Sequence, residues 1–449
     1  MHEVKLFNSL GNRLETFVPL QPGKVSIYCC GPTVYNDPHI GNFRPVIVFD
    51  VLRRLFLHLG YQVTFVSNYT DVDDKIIKRA KELGISEGEL TEGVIKEYAR
   101  LVDAIGALQP DYKPRPTVYM PEIIQYVDDL VKKGAAYVAD GDVYLKVRDI
   151  PNYGELSGNT IDSLESGARI DVNDKKKDPL DFALWKKTDE GIKWASPWSE
   201  GRPGWHTECC VMINSIFRDQ GGYIDIHGGG FDLKFPHHEN EMAQAKAHNG
   251  NKLARYWIHN GFINVNNEKM SKSLGNVILL KDVVATYGGL PFRLMVLAAH
   301  YRAPASFSED TIKEAQIKAA QLQEAIKKAA ITLQLNGVKD PESLKPADES
   351  AFLDAICDDL GTPNALAVLY DENKAINALL RSRPLNLDAL KESYARLRAY
   401  ESVLGIPLAI PSLSEDDIKL YRAYMDAKGV KDFAKSDAYR QQLIQKGLF

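Results

Sequence analysis

Hydrophobic and polar positions alternate along two short segments near the start of the chain, with a helical pattern between them. Residues 24–30, KVSIYCC, alternate with the period of a strand. Residues 45–59, PVIVFDVLRRLFLHL, have the apolar spacing of a helix and precede Gly60, a residue that commonly follows a last helical turn. Residues 61–68, YQVTFVSN, alternate again. This succession predicts a βαβ unit in a parallel sheet, where ligands bind beyond the carboxyl ends of the strands.

The pattern of the remaining chain predicts five regions. Residues 1–110 and 201–307 carry the strand and helix patterns of the two halves of a parallel-sheet α/β domain. Residues 111–200 mix short strand-like runs with polar turns, which predicts an insertion between those halves. Residues 308–405 predict an all-α helical bundle, and residues 406–449 predict a small C-terminal helical segment that follows a proline-rich linker.

Shorter patterns predict elements inside these regions. A strand followed by a turn is predicted at 223–233. Helices are predicted at 73–108, 237–250, 348–377 and 386–404. The first helix of the bundle carries an apolar stripe with a spacing of three and four residues, made of Ile312, Ala315, Ala319, Leu322, Ile326, Ala329 and Leu333.

The composition narrows the class of protein. The chain has 449 residues, 45% of them hydrophobic, and a net charge of -5, which is typical of a globular protein of several domains. A protein that coats nucleic acid would be basic, so any nucleic-acid contact here uses local patches. No stretch is apolar enough to span a bilayer, and the first residues lack the features of a signal peptide, so we expect a cytoplasmic enzyme.

The cysteines form two adjacent pairs and one single residue, an odd number that argues against a disulfide framework. In FPHHENE, Pro236 suits a first helical turn, and His237 and Glu241 lie four residues apart on one helix face. With Cys30 and Cys209 they form a donor set suited to tetrahedral zinc rather than magnesium, although spacing alone does not pair residues so distant in sequence. The other three cysteines are expected to be small core residues.

Two further motifs suit a nucleotide. In EKMSKSLGN, the ammonium groups of Lys269 and Lys272 can hold triphosphate charge on a loop. In PHIGN, His39 and Gly41 precede a predicted helix whose N-terminal amide groups attract phosphate. Taken alone, each motif also fits a solvated turn or a structural histidine.

Several long motifs in a fixed order carry a resemblance to a known family. HIG-N near the N-terminus and KMSKS late in the sheet domain resemble the class I aminoacyl-tRNA synthetases. Within that class the chain is similar to the cysteinyl-tRNA synthetases over nearly its whole length. The motifs that carry this similarity are YCCGPTVYNDPHIGN, NYTDVDDKI, GRPGWHTECC, DIHGGGFDLKFPHHENE and EKMSKSLGN.

The resemblance implies a fold and a reaction. The fold would be a Rossmann-type catalytic domain of parallel β-sheet, split by a connective insertion and followed by an all-α helical bundle that docks on tRNA. ATP with Mg²⁺ would activate L-cysteine as cysteinyl-adenylate, and the cysteinyl group would move to the 3′ end of tRNA(Cys). One Zn²⁺ would select the thiol, because size alone discriminates poorly between cysteine and serine. We expect a monomer that does not bind membranes.

The resemblance also assigns residues. The zinc ligands would be Cys30, Cys209, His237 and Glu241. The ATP-binding residues would be His39, Gly41, Asn42, Lys269 and Lys272, of which His39, Lys269 and Lys272 would be catalytic. The amino-acid pocket would be lined by Thr70, Trp205, His227 and Asp232. The family signature usually ends in histidine where this chain has Asn42, which keeps hydrogen bonding but cannot carry a charge.

Three alternatives remain open from the sequence. One is a ligase of the same lineage that joins activated cysteine to an amino sugar, as in mycothiol synthesis. The second is a synthetase-like regulator that binds tRNA or cysteine without catalysis. The third is a zinc-dependent hydrolase, for which Glu239 is the one candidate base beside the predicted metal ligands.

Overall fold

The computed structural model describes residues 2–161, 163, 175–266, 268–270 and 275–449. In chain order its strands are β1 (Lys5–Asn8), β2 (Arg13–Thr16), β3 (Lys24–Cys29), β4 (Gln62–Ser67), β5 (Ala136–Ala139), β6 (Asp142–Leu145), β7 (Phe182–Lys187), β8 (Trp194–Ala195), β9 (Glu200–Pro203), β10 (Ile224–Gly230), β11 (Ala254–Asn260), β12 (Ile263–Val265), β13 (Glu268–Lys269) and β14 (Ala305–Phe307). The α-helices are α1 (Phe43–His58), α2 (Asp74–Leu83), α3 (Glu87–Ala104), α4 (Met120–Lys132), α5 (Trp205–Ile216), α6 (Glu239–Asn249), α7 (Leu280–Tyr287), α8 (Gly289–Leu297), α9 (Glu309–Leu335), α10 (Ser350–Cys357), α11 (Thr362–Arg381), α12 (Leu387–Leu404), α13 (Glu415–Gly429) and α14 (Phe433–Gln445).

A parallel four-stranded sheet, in the order β11-β10-β3-β4, forms the centre of the α/β domain. Helix α1 connects β3 to β4, which confirms the predicted βαβ unit. The chain leaves β3 for β4 on one side and later returns to β10 on the other side of β3. The loops that follow β3 and β10 therefore diverge at a topological switch point, which is where open α/β sheets bind ligands.

The insertion between the sheet halves contains an antiparallel sheet, in the order β5-β6-β7-β9-β8, and the helix α4. The strands agree with the predicted strand-like runs, whereas helix α4 was missed. Its buried Ile123, Val127 and Leu130 have helical spacing and pack in one hydrophobic cluster with side chains of α5 and α6. The apolar spacing that predicts this helix was therefore present in the sequence.

The helix that carries Glu241 begins later than its sequence pattern predicts. Phe235 has an extended backbone, with φ -140° and ψ 134°, and interrupts the turn that contains Pro236. His237 and His238 lie in the turn that follows this kink, and the regular helix α6 begins at Glu239. His237 and Glu241 nevertheless remain neighbours, with 2.9 Å between Nε2 and Oε1.

The C-terminal region is helical, as predicted, and the stripe on α9 is buried along its length. The predicted helix at 348–377 is two helices, because Asp359 and Leu360 between them adopt left-handed backbone conformations. The proline-rich segment 406–413 has no helix or strand, but it is packed rather than loose. Ile406 and Leu408 are buried, and the side chain of Gln334 on α9 donates to the Pro411 carbonyl.

Among the residues that the structure describes, no helix has the length and apolar character needed to cross a membrane.

Candidate metal and nucleotide site

The first thiol of the site lies immediately beyond the end of β3. Cys30 follows the last strand residue and is itself followed by Gly31. A Cβ at Gly31 would lie 1.6 Å from the carbonyl oxygen of Asn68, so no side chain fits there. The Gly31 amide donates to the Asn68 side chain at 2.9 Å, and the Cys209 thiol lies 3.8 Å from that same amide oxygen. Asn68 thus contacts both the loop that supplies Cys30 and the helix α5 that supplies Cys209.

Four predicted metal donors meet at this place. The Sγ atoms of Cys30 and Cys209 are 3.7 Å apart. The Cys209 Sγ is 3.9 Å from His237 Nε2, and the Cys30 Sγ is 3.9 Å from Glu241 Oε1. All four residues are buried, and their donor atoms lie within 4.8 Å of one another.

The donor set fits zinc. Zinc bonds to thiolate sulfur at about 2.3 Å, so two thiolates on a tetrahedral ion stand about 3.8 Å apart. The observed separation of Cys30 and Cys209 matches this value. Two soft sulfurs, one imidazole and one carboxylate also favour zinc over the oxygen-preferring magnesium and calcium.

A second donor set shares two of these residues. Cys30 and Glu241 also form a buried cluster with His227 and His238. The Nε2 of His238 is 3.3 Å from the Cys30 Sγ, and the Nε2 of His227 is 2.6 Å from Glu241 Oε2. His227 was expected in the amino-acid pocket, whereas His238 was missed. The adjacent histidines in FPHHENE could have indicated His238 as a candidate ligand. Which groups each imidazole contacts, however, is set by the kinked turn that contains both residues.

The buried side chains of the cluster shift one another's pKa values. Burial would lower the pKa of His237, but Glu241 and Cys209 outweigh it and raise that pKa to about 10. Burial would raise the pKa of Glu241, but His237 and His227 hold it well below its usual range. Burial raises the pKa of Cys30, whereas the hydrogen bond with Cys30 lowers the pKa of Cys209 to about 6. The pKa shifts of His237, Glu241 and Cys209 therefore arise largely from one another, because all three side chains are buried in a single cluster.

Aromatic side chains cover the metal donors on the side of α5. The indole of Trp205 stacks on His237 with 4.2 Å between ring centroids and a 20° angle between planes. The Nδ1 atoms of His206 and His237 are 3.0 Å apart, so one ring donates to the other. Trp205 remains 40% exposed, which places an accessible flat surface directly over a donor imidazole.

The other two predicted pocket residues differ in their surroundings. Thr70 is buried and its hydroxyl donates to the Glu208 carboxyl at 3.3 Å. Burial raises the pKa of Glu208 well above its usual range. Asp232 is exposed, in a 3-10 turn that follows β10. Sequence reasoning missed Glu208, whose role depends on a contact 138 residues away.

The HIG-N motif forms a 3-10 turn that leads into α1. The side chain of Asn42 accepts from the backbone N–H of His39 at 2.9 Å, which holds this turn closed. A Cβ at Gly41 would lie 3.1 Å from the His39 ring and 3.1 Å from the Met270 methyl group. Gly41 thus makes room for a histidine ring on one side and for the KMSKS segment on the other.

Main-chain bonds join the HIG-N turn to the segment that follows the EKMSKSLGN motif. The Ile40 N–H donates to the Ile278 carbonyl at 3.0 Å, and the Leu280 N–H donates to the Pro38 carbonyl at 3.2 Å. The backbone of Lys269 pairs with Asn264 in the β12–β13 hairpin. The predicted Lys272 lies outside the described residues, as does the side chain of Lys269.

Comparison with known proteins adds independent observations. Residues 16–317 match the family described as the class I (C) tRNA synthetase catalytic domain, and residues 351–409 match the DALR domain. The chain is 44% identical to a cysteine–tRNA ligase of Shouchella clausii, with 99% of this chain and 97% of that protein covered. It is 44% identical to a cysteine–tRNA ligase of Acholeplasma laidlawii, with 99% of each covered.

Solved structures share the fold. A methionyl-tRNA synthetase of Mycobacterium tuberculosis, in complex with methionyl-adenylate, superposes with a TM-score of 0.61 at 15% identity, covering 85% of this chain and 90% of that one. A leucyl-tRNA synthetase of Agrobacterium radiobacter, in a ternary complex, superposes with a TM-score of 0.62 at 11% identity, covering 90% and 88%. At such low identity these likenesses concern the fold alone.

Proposed function

The chain belongs to the cysteine–tRNA ligases of the class I tRNA synthetase family, and on that premise we propose how its residues select and activate cysteine. As a member it is an ATP-dependent ligase that joins cysteine to tRNA. The observation that carries the proposal is the convergence of Cys30, Cys209, His237 and Glu241 at the switch point of the parallel sheet.

These four residues would hold one zinc ion. When bound, zinc supplies a Lewis-acidic position that takes a substrate sulfur as thiolate in preference to a hydroxyl. Trp205 stacks on His237 and fixes the plane of that imidazole, while its exposed face walls the pocket. His227 holds the second oxygen of Glu241, so both oxygens of this carboxylate are oriented by imidazoles. Thr70 and Asp232 would complete the amino-acid pocket.

ATP would bind along the HIG-N and KMSKS segments, with Mg²⁺ on its phosphates. His39 and Gly41 would contact the phosphates, while Asn42 fixes the backbone of His39. Lys269 and Lys272 would stabilise the charge that develops on pyrophosphate. The attacking carboxylate of cysteine is already ionised, so activation requires positioning and charge stabilisation rather than a protein base.

We propose tRNA(Cys) as the acceptor and a monomer in the cytoplasm as the working form. The curated relatives support tRNA over an amino sugar, because their similarity extends through the helical region as well as the catalytic one. Residues 1–110 and 201–307 would catalyse the reaction, and residues 111–200 would form the connective insertion. Residues 308–405 would dock on the tRNA, and residues 406–449 would lie on the anticodon side.

The contacts of Glu239 do not suit the general base that the hydrolase alternative requires. Both carboxylate oxygens of Glu239 accept backbone hydrogen bonds, from Gly154 at 2.9 Å and from Ser157 at 2.7 Å. A carboxylate engaged in this way at 1% exposure does not activate a water molecule.

The test is Cys209→Ser, assayed for bound zinc and for cysteine-dependent ATP–pyrophosphate exchange. We expect loss of zinc and at least about a hundredfold loss of exchange, because a neutral hydroxyl replaces one of two thiolates. Cys357→Ser is the matched control, since Cys357 is a buried thiol in the helical region. It should keep zinc and exchange activity. Normal zinc content in Cys209→Ser would refute the ligand assignment.

A further inference from the structure

Glu239 links the metal-ligand helix to the insertion. It is the first residue of α6 and is almost fully buried. Oε1 accepts from the Gly154 amide at 2.9 Å and Oε2 accepts from the Ser157 amide at 2.7 Å. These amides belong to residues 151–158 of the insertion, which we name the docking loop. Both oxygens of the Glu239 carboxylate therefore accept hydrogen bonds from the docking loop.

Further contacts run along the same helix. The hydroxyl of Tyr153 donates to Asn240 Oδ1 at 2.6 Å, in a buried position. Lys246, two turns along α6, pairs with Glu155 at 2.6 Å and donates to the Pro151 carbonyl at 2.9 Å. The docking loop is thus bound to α6 at its buried start and at its more exposed end.

The docking loop has a conformation that presents two amides to one carboxylate. Gly154 has a φ of +96°, and a Cβ there would lie 1.9 Å from the Asn159 carbonyl oxygen. Only glycine fits this position, so the turn is tight and its amides point together. An anionic acceptor at a pair of convergent amides makes strong, oriented hydrogen bonds.

We propose that Glu239 is a positioning residue for thiol selection, which fixes His237 and Glu241 by clamping their shared turn to the docking loop. Glu239 lies midway between these two donors in sequence, where the kinked turn that contains His237 meets α6. The kink at Phe235 interrupts the helical hydrogen bonding before His237, and the Glu239 N–H reaches back only to the Pro236 carbonyl, so the geometry of this turn depends on bonds from outside the helix. The proposal rests on the proposed zinc ligands.

The test compares Glu239→Gln with the unaltered zinc-loaded enzyme. The amide of glutamine brings an N–H against one of the two backbone N–H groups and removes the charge, so the turn loosens. We expect zinc transfer to a chelator to accelerate about tenfold or more, as for other residues that orient metal ligands. In ATP–pyrophosphate exchange, the KM for cysteine should rise by a similar factor, while the KM for ATP stays within about twofold.

Two further variants make the result decisive. Lys252→Ala removes the outermost ion pair of the docking loop, with Glu155 at 2.8 Å, and should leave zinc release and both KM values unchanged. Tyr153→Phe removes the bond to Asn240 alone and should move zinc release and the KM for cysteine in the same direction as Glu239→Gln, by less.

The variants separate the positioning role of Glu239 from the assignment of the zinc ligands. Unchanged zinc release and cysteine KM in Glu239→Gln overturn the positioning role, provided that Cys209→Ser loses zinc. Zinc retained in Cys209→Ser instead overturns the ligand set on which the proposal rests. If Glu239→Gln does not fold, Tyr153→Phe decides the question: faster zinc release supports the clamp, and release at the rate of the unaltered enzyme refutes it.

Discussion

Gly31 allows the loop that carries Cys30 to lie directly against the backbone of Asn68. The chain has to turn at once after β3, and the carbonyl of Asn68 occupies the space that a Cβ at Gly31 would need. The same close approach lets the Gly31 amide bond to the Asn68 side chain, which also contacts Cys209. The proposed metal donors Cys30 and Cys209 therefore depend on a neighbouring residue that has no side chain.

Gly31→Ala should consequently damage both stability and the site. Because the obstructing atom belongs to the backbone, relief requires a shift of the loop, and we expect the free energy of unfolding to fall by about 3 kcal/mol or more. Bound zinc should fall with it. Urea denaturation and metal analysis measure the two effects.

Gly93→Ala is the matched control for this substitution. Gly93 lies on α3, and a Cβ there would meet no atom within 4 Å. Alanine in a helix interior should raise stability by about 0.5–1 kcal/mol. Equal effects of the two substitutions would contradict the steric role of Gly31.

The sequence indicates donors better than it indicates their surroundings. Cys30, Cys209, His237 and Glu241 could be selected because few residue types bind zinc, and the structure brings them together. Their neighbours could not be selected in this way. Asn68 and Glu208 are ordinary polar residues until tertiary packing buries them against the Cys30 loop and Thr70.

Secondary-structure elements likewise differ in how far local sequence predicts them. The stripe on α9 repeats over many turns, and its helix follows from the sequence. The break between α10 and α11 does not, because it depends on tertiary partners. The carboxylate of Asp359 accepts from the Tyr301 hydroxyl and from the Phe7 amide, and these bonds hold a left-handed residue that local preference would not choose.

The terminal hairpin of α13 and α14 is joined by one carboxylate. Asp417 accepts from the Ser414 amide at 3.0 Å and hydroxyl at 2.6 Å, closing the N-terminus of α13. It also accepts from Lys446, beyond α14, at 2.6 Å. The hydrogen bond from Lys446 is the main reason that the pKa of Asp417 falls to about 2. The two helices therefore share a pH-dependent contact.

Asp417→Asn should loosen this hairpin at neutral and mildly acidic pH, but not near pH 2. The folded pKa of Asp417 lies below the unfolded value of about 3.9, so its stabilisation is present above that value and is lost as pH falls toward 2. We expect a loss of about 1 kcal/mol in the opening free energy of the hairpin at neutral pH. The difference from the unaltered protein should shrink as the pH approaches 2.

Amide hydrogen exchange of α13 and α14 at several pH values measures this change. Asp426→Asn, which alters an exposed aspartate on the same helix, is the matched control and should match the unaltered protein throughout. A loss in Asp417→Asn that persists undiminished at acid pH would show that the charge of Asp417 is not its cause.

A buried charge network joins the catalytic and helical regions of the whole chain. Asp50 on α1 pairs with Arg293 on α8, and both side chains are almost fully buried. The Nε of Arg293 donates to the carbonyl of Leu404 at the end of α12 at 2.7 Å, and Asp50 also accepts from the Leu108 amide at 2.8 Å. One ion pair thus contacts the sheet domain, the bundle and the segment that precedes the insertion.

Asp50→Asn should therefore uncouple regions that unfold together. Removing one partner leaves the Arg293 guanidinium buried without its counter-charge, which typically costs about 3–5 kcal/mol. All five tryptophans lie in residues 185–257, so tryptophan fluorescence reports on the insertion and the second half of the catalytic region, whereas far-ultraviolet circular dichroism also reports on the bundle. We expect the two urea transitions to coincide in the unaltered protein and to separate in Asp50→Asn.

Asp388→Asn is the matched control, because it removes only the exposed ion pair with Lys391 and should leave both urea transitions unchanged. If the two transitions still coincide in Asp50→Asn, packing alone couples the catalytic region to the bundle.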